Sequence, residues 1–77
     1  MDISVADVMV HVDESIPAEE MHKLENVVRT DVCVIGACTS KEDPHLLMVT
    51  YNPECTSSGK VLNLVRAQGV HAELVGL

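Results

Sequence analysis

The 77-residue sequence contains no tryptophan or phenylalanine and only one tyrosine. Basic residues are also scarce, with five Lys and Arg against twelve Asp and Glu and a formal charge of −7. Proteins that bind nucleic acids or anionic membranes use basic patches, and single-strand binders add aromatic rings that stack on bases. The composition therefore predicts no nucleic-acid or membrane partner and favours basic protein surfaces or metal ions.

Cysteine is sparse as well, and Cys33, Cys38 and Cys55 form no CxxC motif. An odd number of thiols cannot pair completely within one chain, so we expect a reducing, cytoplasmic setting. Cys33 and Cys38 fall in one predicted strand with side chains on opposite faces, and we expect one of them to be a small core residue. Cys55 is the candidate reactive thiol because it precedes a predicted helix, whose dipole favours the thiolate.

Long apolar runs are absent too. No stretch approaches the roughly 20 residues that cross a bilayer, and the acidic start MDISVADV is unlike a secretory signal. The length predicts one domain over residues 1–77, too small for a large enclosed active site. The negative charge is uneven, because residues 1–31 carry a net charge of −6 and residues 32–77 only −1.

Apolar periodicity predicts six elements. VMVHV and VHAELV alternate as strands do, while Met21, Leu24 and Val28 form the apolar stripe of a helix. The predicted strands cover residues 8–12, 32–38, 45–51 and 70–75, and the predicted helices cover about residues 17–29 and 60–68. Pro17 begins the first helix, Gly69 stops the second, and one of Thr56, Ser57 and Ser58 caps it.

The order β-α-β-β-α-β predicts an α+β fold of the ferredoxin-like type. In this fold a four-stranded antiparallel sheet, in the order 4-1-3-2, carries both helices on one face. We expect Glu25 and Arg29 to form an i,i+4 ion pair on the wet side of the first helix.

The sheet face opposite the helices is predicted to be unusually apolar. Alternation predicts that one set of strand residues faces the helices: Val8, Val10, Leu47, Val49, Tyr51, Ala72 and Leu74. Four apolar side chains then face away from the helices: Met9, Leu46, Met48 and Val75. Contiguous exposed apolar surface commonly marks a protein-binding site, and methionines make such a surface adaptable. These four residues are the predicted interaction surface.

Histidine and carboxylate residues suggest a different chemistry. His11 and His71 fall on neighbouring antiparallel strands and on the same face, so we expect them to be cross-strand neighbours that bind a metal or sense pH. Asp13 and Glu14 follow the first strand and add oxygen ligands. These four residues are the candidate site for a harder divalent ion such as Zn²⁺, Ni²⁺ or Co²⁺.

The last 29 residues, VTYNPECTSSGKVLNLVRAQGVHAELVGL, resemble the C-terminal half of a heavy-metal-associated domain, the module of copper chaperones and P-type ATPases. In that family a strand ends in an aromatic-Asp/Asn-Pro turn and is followed by a Ser/Thr-capped helix, a glycine and a final strand. Here Tyr51, Asn52, Pro53 and Gly69 stand at the matching places. Element order and length extend the resemblance to about residues 8–77.

The family keeps its metal site in an MxCxxC loop between the first strand and first helix, where two thiolates hold Cu(I). The matching segment here is VDESIP, residues 12–17, with Glu14 and Pro17 at the two cysteine positions and no cysteine before Cys33. The resemblance therefore implies the fold and a place in metal handling. It does not imply Cu(I) transfer between two thiolates.

No enzyme motif accompanies these features. The sequence has no Gly-rich phosphate loop, no nucleophile elbow and no zinc-protease helix. We therefore predict a non-enzymatic interaction or accessory module without a resident cofactor, whose partner is a protein with a basic surface or a second copy of itself. The alternative is a domain that binds a harder divalent ion. A third hypothesis is an enzyme subunit whose site is completed by a partner chain.

Overall fold

The computed structural model describes residues 4–75, so the two ends of the domain predicted over residues 1–77 lie outside the described residues. Four strands and two helices follow in the predicted order: β1 (Ala6–Val12), α1 (Ala18–Arg29), β2 (Val34–Thr39), β3 (Leu46–Tyr51), α2 (Ser58–Arg66) and β4 (Ala72–Val75).

The four strands form one antiparallel sheet in the order β2-β3-β1-β4, which confirms the predicted topology. In its register, Met9 of β1 pairs with Met48 of β3 on one side and with Val75 of β4 on the other. The fold is α+β and ferredoxin-like. Because β1 lies in the middle of the sheet, alternate β1 side chains are held between two neighbouring strands.

The hydrophobic core lies between the helices and one face of the sheet. Val8, Val10 and Val12 of β1 are buried there, and the predicted stripe of α1 packs against them. The other core residues are Ala37, Leu47, Val49, Tyr51, Val61, Leu62, Val65 and Ala72. Burial of a single Val or Leu side chain stabilises the folded state by about 1.5–3 kcal/mol. The alternation therefore determines which face of each strand is buried and which remains exposed.

The two helices begin differently. Pro17 occupies the N-cap of α1 without a side-chain cap, and Glu19 and Glu20 lie in the first turn, where the helix dipole favours acidic groups. At α2 the open choice between three hydroxyls is resolved in favour of Ser57, whose Oγ accepts from the backbone N–H of Lys60 (3.3 Å). Gly69 takes a left-handed φ of 87°, as predicted, but α2 ends at Arg66 and not at residue 68, so Gly69 ends the turn that follows the helix.

The start of β2 differs from the prediction. Val32, expected inside the strand, is 96% exposed and belongs to a turn after α1. Asp31 forms this turn, because its carboxylate accepts from the N–H of Cys33 (2.8 Å) and its carbonyl oxygen accepts from the N–H of Val34 (3.0 Å). An Asp side chain that satisfies the backbone locally competes with strand pairing, so β2 begins two residues late.

The cysteine predictions are wrong. Cys55 is bonded to Cys33, with Cα atoms 5.4 Å apart, and is therefore not a reactive thiol. Neither Cys33 nor Cys38 is a buried core residue, because Cys33 is half-buried in the disulfide and Cys38 is an exposed free thiol. Two of the three cysteines form the disulfide and the third stays free, so an odd number of cysteines is no longer an argument against a disulfide in this chain. The cytoplasmic setting stays a prediction, although paired cysteines are more typical of oxidising compartments.

Glu25 is the second exception to the predicted pattern. It is 5% exposed, and its Oε2 accepts from the backbone N–H (3.0 Å) and the Oγ1 hydroxyl (2.6 Å) of Thr39 at the end of β2. Arg29 lies 3.7 Å from the other oxygen, so the predicted ion pair is present but on the buried side. Burial alone raises the pKa of Glu25, yet the hydrogen bonds from Thr39 and His22 outweigh it and hold the pKa below 4.5.

Candidate functional site

Three connections meet at one end of the sheet: β1–α1 (residues 13–17), the β2–β3 hairpin (residues 40–45) and α2–β4 (residues 67–71). We call this the loop end. Two backbone hydrogen bonds hold the connections together, from Val12 N–H to the His45 carbonyl and from Asp13 N–H to the His71 carbonyl, both 2.8 Å. The histidines and acids of three separate chain segments are thereby brought to the end of β1.

His11 is at the centre of this group. It lies on the sheet face opposite the core, and the β1–β4 register places it directly across from Glu73. Its Nδ1 donates to Oδ1 of Asp13 (3.0 Å), two residues further along the chain. His11, Asp13 and Glu73 each present a ligand atom such that all three atoms lie within 4.8 Å of one another. One imidazole and two carboxylates thus converge on one small volume.

A second imidazole borders this group. The ring of His45 stacks on that of His11, with ring centroids 5.5 Å apart and planes inclined by 20°. His45 Nδ1 lies 2.8 Å from the carbonyl oxygen of Val12, which only accepts, so Nδ1 carries the proton. In the neutral ring Nε2 then keeps its lone pair. Sequence reasoning missed His45 because it belongs to a hairpin that only the tertiary fold brings to β1.

Glu14 and His71 form a separate pair beside this group. The Glu14 carboxylate accepts from the backbone N–H of His71 (2.9 and 3.0 Å) and from its ring Nδ1 (2.9 Å). These bonds, the ring contact first, hold the pKa of Glu14 below its ordinary value of 4.5. The pair closes the β1–α1 connection onto the start of β4.

The structure therefore divides the predicted metal ligands. His11 and Asp13 come together, while Glu14 and His71 pair with each other. The register puts Glu73 directly opposite His11, so the two histidines predicted as cross-strand neighbours are not a directly paired couple. His71 lies two residues before that position, on the same face. The alternation in VHAELV already assigned Glu73 to this face, so the sequence carried a signal for it.

The predicted interaction surface lies on the open face of the sheet, as expected. Met9 lies between Met48 and Val75, its partners on β3 and β4, and Leu46 lies opposite His11. Met48 is 42% exposed, and the other three side chains are half-buried. The free thiol of Cys38 belongs to the same face, because Cys38 pairs with Met48 across β2 and β3. The open face is thus a mixed apolar and sulfur-containing surface.

Acidic groups border this surface at both ends. Asp7, exposed at the start of β1, accepts from the Thr50 hydroxyl (2.7 Å), and Asp13 and Glu73 lie at the loop end. Among residues 4–75, neither helix has the length and apolar character that crossing a bilayer requires. The exposed chemistry of the open face is therefore an apolar strip between acids.

No family model and no curated protein sequence matches this chain. Several solved structures match this chain. Among them is a copper-binding domain from HMA7, a P-type ATPase, which superimposes with a TM-score of 0.81 over 91% of this chain and 93% of its own length. The two sequences are 16% identical. At that identity the likeness establishes the fold. It confirms the predicted resemblance to a heavy-metal-associated domain at the level of architecture.

Proposed function

We propose that this chain is a non-enzymatic accessory domain of heavy-metal-associated type that docks the open face of its sheet on a protein with a basic surface. The single observation that carries the proposal is the apolar strip of Met9, Leu46, Met48 and Val75, which is bordered by acids. Apolar contacts at the centre of an interface supply most of the affinity, and complementary charges at its rim set the orientation and the rate of association.

The proposed link to metal handling rests on the similarity in fold. The structural neighbour is a copper-binding domain, which supports a role beside metal transport or delivery. Cu(I) transfer between two thiolates is not part of the proposal. Cys33 and Cys55 are bonded to each other, and Cys38 is a single thiol. The β1–α1 connection holds Glu14 and Pro17 where the family has cysteines.

A second copy of the chain fits the strip less well than a basic partner does. Each copy carries a formal charge of −7, and docking two open faces together brings Asp7, Asp13 and Glu73 of one copy towards those of the other. Like charges brought together in an interface oppose association. The proposed partner is therefore a different protein and not a second copy of this chain.

The exposed thiol of Cys38 makes this testable without adding a cysteine. We would attach a photo-activated benzophenone maleimide to Cys38, irradiate the labelled chain in extracts of its source cells and identify the adducts by mass spectrometry. The matched control moves the label to the outer face of α2 in a Cys38→Ser/Asn63→Cys variant. We expect an adduct with a protein that has a basic surface from position 38, and none from position 63.

Two further variants show whether the strip makes the contact. Met48→Glu should reduce the adduct by at least about tenfold, because it buries a charge in an apolar contact. Val32→Glu changes an apolar residue that is more exposed than Met48 (96% against 42%) and lies in the turn after α1, away from the open face, so it should leave the adduct unchanged. Association of the purified partner should slow as salt rises. Equal adducts from both label positions, an adduct insensitive to Met48→Glu, or an adduct with a second copy of the chain would overturn the proposal.

A further inference from the structure

We infer that His11, Asp13 and Glu73 form a binding site for one borderline divalent ion, of the class of Zn²⁺, Ni²⁺ and Co²⁺. The three side chains offer ligand atoms that lie within 4.8 Å of one another. Ligands of one zinc ion lie about 2.0–2.2 Å from the metal and so about 3–4 Å from each other. Rotation of exposed carboxylates closes this difference without movement of the backbone.

The sheet register holds two of the three ligands in place. His11 and Glu73 are directly paired across β1 and β4, and their side chains emerge from the same face. Asp13 is held by the backbone hydrogen bond from its N–H to the His71 carbonyl (2.8 Å). The backbone positions of the ligands are therefore fixed before an ion binds, and only the side-chain rotation of the two carboxylates remains to be ordered.

The shortest contact in the group lies between the imidazole and one carboxylate. His11 Nδ1 lies 3.0 Å from Oδ1 of Asp13, and without an ion this nitrogen carries the proton of the hydrogen bond, because a carboxylate only accepts. Two ligands of one zinc ion lie about 3–4 Å apart, so this separation suits two ligand atoms. An ion bound here takes the place of the Nδ1 proton, and the neutral ring then carries its proton on Nε2.

His45 restricts the His11 ring further. The two rings stack at 5.5 Å, and His45 is itself fixed by its hydrogen bond to the Val12 carbonyl (2.8 Å). Its remaining nitrogen, Nε2, carries a lone pair near the loop end. The stacked ring and its hydrogen bond thus limit the orientations that the His11 ring can take.

The ligand set selects the class of ion. Imidazole and carboxylate together suit Zn²⁺, Ni²⁺ and Co²⁺, whereas Cu(I) prefers sulfur and Ca²⁺ prefers oxygen alone. Three protein ligands leave positions for water, as in open metal sites.

Arg66 lines the same depression as Asp13 and Glu73, and its Nε donates to the Ala72 carbonyl (2.9 Å). Its positive charge limits the affinity of this site.

The test measures binding to the full, tag-free 77-residue chain. Native mass spectrometry after addition of ZnCl₂, NiCl₂ or CoCl₂ should show one ion per chain, and titration calorimetry gives the affinity. His11→Ala and Glu73→Gln should each weaken zinc binding by about tenfold or more, since each removes a ligand. In NMR spectra that detect imidazole nitrogens, zinc should shift the ring nitrogens of His11 more than those of His71.

The chain offers a matched control in the other histidine and carboxylate pair at the loop end. His71→Ala and Glu14→Gln remove the same chemical groups next to the site, and zinc affinity should stay within about twofold of the wild type. Circular dichroism of every variant establishes that it is folded. The inference fails if no stoichiometric adduct forms, or if the His71→Ala variant loses as much affinity as His11→Ala. Asp13 and Glu73 belong to both proposals, but the docking test varies Met48 and Val32 and the metal test varies His11 and Glu73, so failure of one can be told from failure of the other.

Discussion

The two ends of this small sheet are held together by different chemistry. At the loop end, carboxylates and imidazoles tie the connections together through Glu14 with His71, Asp13 with His11, and His45 with the Val12 carbonyl. At the opposite end, which we call the disulfide end, Cys33 is bonded to Cys55, and the Asn52 N–H donates to the Cys33 carbonyl (2.9 Å). One end is therefore held by hydrogen bonds between ionisable side chains, and the other by a covalent bond that reductants cleave.

This difference between the two ends indicates which part of so small a chain is available for a change of function. A covalent bond holds the disulfide end whatever the solvent pH, whereas the loop end is held by hydrogen bonds of histidines and acids that are largely exposed. A domain of 77 residues buries a limited core, and a disulfide is a common supplement to such a core. The following predictions separate the contributions of the two ends.

Loss of the disulfide should have the largest effect. Cys33 and Cys55 are 22 residues apart, and a loop of that size constrains the unfolded chain by about 3 kcal/mol. A Cys33→Ser/Cys55→Ser variant should lose about that much free energy of unfolding in urea. Reduction of the wild type with dithiothreitol should lower its stability equally. Cys38→Ser is the control and should unfold at the wild-type urea concentration; an unchanged double variant would contradict the prediction.

The second effect concerns Glu25, which joins α1 to β2 below the loop end. Glu25→Ala should lower the free energy of unfolding by about 2 kcal/mol, because the N–H and the hydroxyl of the half-buried Thr39 both lose their acceptor. Thermal or urea unfolding measures the loss. Glu19→Ala, an exposed change in the same helix, should cost less than about 0.5 kcal/mol. Equal losses in the two variants would show that helix electrostatics, and not the contact with Thr39, explains the effect.

The same carboxylate makes stability depend on pH. The pKa of Glu25 in the folded chain lies below the ordinary 4.5, so the folded state binds this proton less readily than the unfolded state. Its contribution is therefore complete above about pH 4.5 and is lost as the pH falls through the folded pKa. The difference in unfolding free energy between wild type and Glu25→Gln should shrink below that pH. A difference that is constant from pH 7 to pH 3 would contradict this.

A smaller effect belongs to the cap of α2 at the disulfide end. Ser57→Ala should lower the free energy of unfolding by about 1 kcal/mol, because the N–H of Lys60 loses its acceptor. Ser58→Ala changes the neighbouring hydroxyl, which is not the cap, and should have little effect. If Ser58→Ala is the more damaging change, the cap has been assigned to the wrong residue.

The smallest effect should be a gain. The Oγ1 of Thr56 is buried without a hydrogen-bond partner among the described residues. Thr56→Val keeps the side-chain shape and removes the unpaired hydroxyl, so stability should rise by up to about 1 kcal/mol. Unfolding in urea with and without dithiothreitol would also show whether this gain is independent of the nearby disulfide. A loss of stability would show that the hydroxyl has a partner, such as a bound water.

Much of the fold could be predicted because the valines of β1 alternate without interruption and the α1 stripe keeps helical spacing. Glu25 was assigned to the wet side because it pairs with Arg29. Its position four residues after Met21 and three before Val28 also allows the margin of the core, and only the contact with Thr39 decides between the two. Val32 was misplaced because a β-branched run gives no sign of the turn that the Asp31 side chain makes.

The candidate site could be predicted only in part. Alternation placed His11, His71 and Glu73 on one face, but the register that selects Glu73 depends on long-range pairing between β1 and β4. His45 and the disulfide depend on tertiary contacts between segments that are distant in sequence. Sequence patterns describe the face of a residue much better than they describe its partner on another element.

The Cys33–Cys55 bond also changes the shape of the chain before it folds. It closes a covalent ring that contains β2 and β3, with β1 and α1 on one free arm and α2 and β4 on the other. The oxidised unfolded chain is thus a ring with two tails, in which the hairpin strands already lie near each other and their pairing costs little loop entropy. Assembly then requires the N-terminal arm to bring β1 against β3, and the C-terminal arm to bring β4 against β1.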